Sequence, residues 1–139
     1  MRPLLLSILM LAGLPAIADP IGLERVNALR DMQGRKPLIY DSRLAQAAGT
    51  HATDMAKHGY FSHQGRDGTD VGRRAAMAGY QWCFVAENIA KGQQSLDDVI
   101  TGWAKSPGHY RNMIDSRAEE MALVHAEGDV WVMVLGAAC

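Results

Sequence analysis

Two histidines and a glutamate, His63, Glu87 and His109, are the residues whose types and settings could do chemistry in this chain. Each stands beside a turn or interrupts an apolar run, where a folded scaffold can present a polar group to solvent. His63 follows Tyr60-Phe61-Ser62 and precedes the polar, glycine-rich stretch from Gln64 to Thr69. Glu87, together with Asn88, breaks the otherwise apolar run from Trp82 to Ala90. His109 comes directly after Ser106-Pro107-Gly108, a corner where Pro has no N–H to donate and Gly tolerates strained backbone. Two imidazoles and a carboxylate brought from three elements could hold a divalent metal with open coordination positions. Without a metal the same three groups could act as acid and base on a bound substrate. The competing reading makes them capped loops and satisfied buried polar groups that share no site.

The remaining histidines carry less. His51 falls on a helix face with Leu44, Ala48 and Met55, which suits a core imidazole bonded to backbone. His58 sits at a helix C-terminus, where the dipole mildly favours a cation. His125 lies in a strand and is assigned nothing. His51 and His58 do not form an H-E-x-x-H pair, and no serine stands in a G-x-S-x-G elbow.

The elements that must position these residues can be read from the spacing. Pro20 opens a first helix in which Leu23, Val26, Leu29 and Met32 recur at three-residue steps, and Gly34 is its C-cap. Residues 35–40 form a connector that drops apolar side chains onto the core. Asp41 caps a second, longer helix with Leu44, Ala47, Ala48, His51, Ala52 and Met55 on one side, ended by Gly59. The loop that follows is held by Tyr60 and Phe61. A third helix runs from about Asp70 to Ala78, and Trp82 to Ala90 reads as a strand. Ser95-Leu96-Asp97-Asp98 opens a fourth helix through Val99, Ile100 and Trp103, and a short turn begins at His109. Met121 to Ala126 and Val130 to Leu135, joined around Gly128-Asp129, form a hairpin. Helices first, then strands interleaved with helices, predict an α+β or layered α-β-α domain.

Length and composition bound the rest. The 139 residues, 48% of them hydrophobic, suit one globular domain. The formal net charge of −1 carries no basic footprint of a nucleic-acid binder. Residues 1–18 read as a secretory signal peptide: Arg2 as the positive region, Leu4 to Leu14 as the apolar region, Ala16-Ile17-Ala18 as the cleavage site. That apolar run is shorter than the ~20 helical residues that span a bilayer. A retained anchor is the alternative, and the domain would occupy residues 19–139. Export leaves the protein secreted or periplasmic, and a monomer is expected. In an oxidising compartment the two cysteines, Cys83 and Cys139, would pair; otherwise both are free and Cys139 frays.

Taken together, the motifs look like a known set. His51-Ala52-Thr53-Asp54-Met55-Ala56, Tyr60-Phe61-Ser62-His63, Ala86-Glu87-Asn88-Ile89-Ala90, Trp103-Ala104-Lys105-Ser106-Pro107-Gly108-His109 and Trp131-Val132-Met133-Val134 follow one another in this order. They resemble a bacterial protein of the CAP superfamily, named for cysteine-rich secretory proteins, antigen 5 and pathogenesis-related proteins and also called the SCP domain. The resemblance covers nearly all of residues 19–139. It implies a three-layer α-β-α sandwich with a mostly antiparallel sheet. It also implies a cleft lined by two His and two acidic residues, which in several members binds a divalent cation such as zinc. Carried over, the first His is His63, the Glu is Glu87 and the second His is His109. The second acidic residue falls three positions after the tryptophan, where this chain has Ser106. Ala86 replaces the glycine usual before Glu-Asn.

With His63 and His109 as the only direct ligands, a zinc site would be weak and would keep water in its other positions. Glu87 would orient an imidazole or a metal-bound water. Three functions are compatible with this set. The first is a binding module for an unknown ligand of the cell envelope or extracellular space. The second is a hydrolase of peptide or glycan, metal-assisted or driven by His and Glu as acid and base. The third is an interaction protein with a vestigial cleft.

Overall fold

The structure, a computed structural model, describes residues 17–18 and 20–139. Its elements run β1 (Ile17–Ala18), α1 (Pro20–Met32), β2 (Ile39–Tyr40), α2 (Ser42–His58), α3 (Val71–Met77), β3 (Trp82–Lys91), α4 (Leu96–Ala104), α5 (Pro107–Met113), β4 (Glu120–Ala126) and β5 (Val130–Ala138). The strands form one sheet in the order β1-β4-β5-β3, and β2 adds to β4 in parallel while the other pairings are antiparallel.

Strand alternation sorts the apolar residues into two cores. Met121, Leu123, Trp131, Met133 and Leu135 face α1, α4 and α5, packing on Val26, Val99, Ile100, Trp103 and Met113. Ala122, Val124, Val130, Val132 and Val134 face α2 and α3, packing on Leu44, Ala48, Ala52, Met55 and Ala75. Both faces of β4 and β5 are therefore buried against helices, in the mixed α+β fold the sequence predicts.

Local signals explain the helices nearest the site. Asp41 caps α2 by accepting from the Arg43 and Leu44 amides, and Gly59 ends it in the left-handed region at φ 66°. The residues expected on its inner face, His51 included, are all buried. Asp70 caps α3 at the Arg73 amide, and Ser95 caps α4 at the Asp98 amide. β3 is an edge strand, so loops from both layers can reach around it.

Two expectations need correction. The connector before Asp41 sends only Leu38 into the core. Ile39 and Tyr40 are exposed, because β2 pairs with β4 at the sheet margin. Phe61 is 49% exposed and does not hold the loop after α2, which is tied by polar contacts instead. Ile17 and Ala18, read as the end of a leader, pair with His125 and Val124 of β4. The rest of that leader, residues 1–16, and Asp19 lie outside the described residues.

Two ties close the molecule. Cys83 and Cys139 are joined in a disulfide across 56 positions, the pairing expected of the two cysteines. Arg30, almost fully buried at the end of α1, donates to the carbonyls of Lys36, Met113, Asp115 and Ala118. One guanidinium thus holds the ends of α1 and α5 to the entry of β4. Replacing both cysteines by serine should cost about 4 kcal/mol, from the loop-closure entropy returned to the unfolded chain. Arg30→Met should cost about 3 kcal/mol, because buried carbonyls lose their donor. Urea denaturation checks both, and an unchanged midpoint in either variant would contradict its assigned role.

Candidate functional site

Glu87 is the centre from which the site is built. It lies in an apolar strand and is only 7% exposed, a setting in which a carboxylate needs partners for both oxygens. It has them. Oε1 accepts from His63 Nδ1 at 2.8 Å, and Oε2 accepts from Arg74 Nη2 at 2.8 Å. The His63 side chain is 59% exposed, so its ring stands in solvent while one nitrogen is held from below.

The loop that carries His63 is pinned to α2. His51 Nε2 donates to the carbonyl of Ser62 at 2.8 Å, and Tyr60 donates its hydroxyl to Asp54 Oδ2 at 2.6 Å. Burial and the Asp54 bond push the Tyr60 phenol up to about 12, so it remains a donor at physiological pH. Burial also holds His51 below the ordinary imidazole range, in keeping with a core histidine. His58 Nδ1 meets Asp54 Oδ1 at 2.9 Å at the end of α2, and His125 stacks on Trp131 at 3.8 Å.

His109 arrives from the other layer. Ser106 occupies the N-cap position of α5, yet its hydroxyl makes no capping bond. It lies instead 2.9 Å from His109 Nδ1. Asn88 Nδ2 donates to the His109 carbonyl at 3.1 Å, and Asn112 Nδ2 donates to Asn88 Oδ1 at 2.8 Å. These amides fasten α5 to β3. Trp103 donates to the Ile89 carbonyl at 3.2 Å, and its ring centroid lies 6.4 Å from that of His109. Burial, and after it the charge of His63, hold the His109 imidazole below its ordinary range. His109 is therefore largely neutral at pH 7, the form that ligates metals or accepts a proton.

The structure thus ties His63 directly to Glu87 and brings His109 to the same strand edge, with Ser106 beside it. Ala86 pairs in register with Leu135 in the continuous part of the ladder from Phe84 to Lys91, beyond the irregularity between Trp82 and Phe84, so the extra methyl leaves the strand regular there. Among the described residues no three His, Cys, Asp or Glu side chains are grouped to hold a metal. The side chains that could hold a cation here are the imidazoles of His63 and His109, while Glu87 already accepts from His63 and Arg74. A recess of about 1130 Å³ borders His51, Asp54, His58, Arg66 and Arg74, on the side of α2 and α3, and takes in none of His63, Glu87 and His109. The polar contacts at β3 are instead those of His63 with Glu87 and of His109 with Ser106 and Asn88.

Sequence reasoning missed Arg74, which nothing in the spacing of α3 marks. A signal did exist: a carboxylate embedded in an apolar strand calls for a buried cation, and Arg73 and Arg74 lie one helix away. Asn112 was likewise passed over, although it supports Asn88.

Comparison with known proteins agrees with the fold. The profile of the CAP, or cysteine-rich secretory protein, family matches residues 23–135. An uncharacterized Bacillus subtilis protein, YkwD, is 32% identical over 109 residues, which is 78% of this chain and 42% of that protein. The chain spans less than half the length of the curated relatives it matches. An extracellular protein containing an SCP domain from Bacillus anthracis superposes with a TM-score of 0.80 at 22% identity, over 84% of this chain and 39% of that one. An outer surface protein from Borrelia burgdorferi gives 0.79 at 18% identity, over 92% of this chain and 100% of that one. Fold, motif order and profile agree, and the chain belongs to the CAP, cysteine-rich secretory protein, family.

Proposed function

We propose that this chain is an exported binding module whose cleft, at the edge of β3, takes a weakly held divalent cation of the zinc type on His63 and His109. One observation carries the reading. Each ring has its Nδ1 engaged, by Glu87 Oε1 at 2.8 Å and by Ser106 Oγ at 2.9 Å, which leaves both Nε2 atoms for a ligand. For His109 this requires the ring in its Nδ1–H form, with the Ser106 hydroxyl accepting. A cation held there would supply Lewis acidity and a site for an envelope or extracellular ligand. The residues supply orientation: Glu87 and Ser106 fix the two rings, and Trp103 packs beside one of them.

Export is supported by the leader read in residues 1–18 and by relatives described as extracellular and as an outer surface protein. Among the described residues no helix is long and apolar enough to cross a membrane.

A hydrolytic role for the same cleft has one observation in its favour, the neutral imidazole of His109, which can act as a base near pH 7. Glu87, bonded to His63 and paired with Arg74, is held as an acceptor that orients the ring. A peptide or glycan hydrolase of this kind would keep part of its activity in Glu87→Gln and lose it in His109→Ala.

Zinc titrated calorimetrically into the chelator-stripped protein should bind saturably with micromolar or weaker affinity. The double variant His63→Ala/His109→Ala should not bind, and a variant that binds as well as the parent would defeat the assignment. Chelator should leave the thermal midpoint unchanged, because two cores and a disulfide hold the fold. A large drop would show the metal to be structural.

A further inference from the structure

We propose that Arg74 is a positioning residue of this site, whose guanidinium locks His63 into the Nδ1–H form with Nε2 turned to the cleft. The contacts form a closed circuit. His63 Nδ1 donates to Glu87 Oε1, Glu87 Oε2 accepts from Arg74 Nη2, and the same Nη2 donates to the His63 carbonyl at 2.9 Å. His63 is thereby gripped at its ring and at its backbone by one rigid unit. The other arm, Nη1, donates to the Thr69 carbonyl at 2.7 Å, so both ends of the loop between His63 and Thr69 are fastened to α3.

Chemistry explains why an arginine serves here. The Arg74 side chain is 7% exposed and that of Glu87 only 2%, so each charge needs the other. The planar fork reaches acceptors on two segments and a strand at once, which a single ammonium cannot do. Its Nε has no partner among the described residues, a desolvation cost accepted while the two terminal nitrogens are fully used. With Arg74 in place Glu87 is an orienting acceptor and nothing else. Without it, Oε2 is freed, and the carboxylate has no fixed direction in which to hold the His63 ring.

The functional meaning rests on the zinc reading above, but the geometry can be tested without metal. The tautomer of His63 is read from long-range ¹⁵N–¹H spectra of the metal-free protein. The parent should show Nδ1–H. Arg74→Met should relax toward the Nε2–H form that a free imidazole favours, and zinc affinity should fall about tenfold. Arg74→Lys, whose ammonium can still bridge Glu87 and the His63 carbonyl, should restore the parent tautomer.

Persistence of Nδ1–H in a folded Arg74→Met protein overturns the proposal. So does an Arg74→Lys protein that behaves like Arg74→Met, since that would place the effect in packing. If Arg74→Met does not fold, Arg74→Gln, which keeps a donor but no charge, carries the same expectation and the same contradiction. A tautomer that shifts as stated in a protein that never binds zinc would leave Arg74 as the positioning residue and remove the metal reading alone.

Discussion

A carboxylate buried in an apolar strand is the constraint on which the site depends. Glu87 cannot occupy its place in β3 without a cation and a donor, and Arg74 and His63 supply them. Removing one member of such a buried pair typically costs about 3–5 kcal/mol. The arrangement therefore forces α3, the loop before it and the edge strand into one mutual geometry. The exposed ring of His63 is the outward face of that geometry.

The architecture explains why residues from both helical layers reach β3. β4 and β5 have both faces covered by helices, and β1 and β2 occupy the outer edge of β4. The outer edge of β3 remains, and each helical layer contributes one residue there. His63 comes from the layer of α2 and α3, and His109 from the layer of α4 and α5. The backbone at this edge is stabilised by side chains: Trp103 donates to the Ile89 carbonyl, and Asn112 approaches the Glu87 carbonyl at 3.4 Å. Such capping is one way an edge strand avoids pairing with another chain. It also sets His109 and Trp103 beside the strand that holds Glu87.

Much of this was legible in the sequence where local physics dominates. The Asp41 cap, the Gly59 C-cap and the 3.6-residue rhythm of α2 were all readable, and the inner face followed, His51 included. The hairpin of β4 and β5 was readable from two apolar runs and the turn between them. What failed were positions set by long-range pairing. Ile39 and Tyr40 are apolar and were read as core, but β2 joins the sheet through its backbone alone and leaves both exposed. Phe61 looked like an anchor by residue type, while the anchors are the hydroxyl of Tyr60 and the ring of His51. Arg74 was invisible to periodicity, because its role is defined by a strand 13 positions away. Ser106 is expected to line the cleft, at the position where the resemblance implies an acidic residue. Its hydroxyl stands beside His109, where it can orient the ring without adding a charge.

The central claim is that Glu87 and Ser106 orient two imidazoles whose outer nitrogens are free to bind. X-ray absorption at the zinc edge, on protein loaded with one equivalent, tests it most directly. The account predicts two imidazole nitrogens at about 2.0–2.1 Å, with light oxygen scatterers of water completing the shell. A shell containing one imidazole or none would contradict it. So would a shell in which Glu87 itself is a ligand, lost in Glu87→Ala, since its carboxylate would then bind the metal instead of orienting His63.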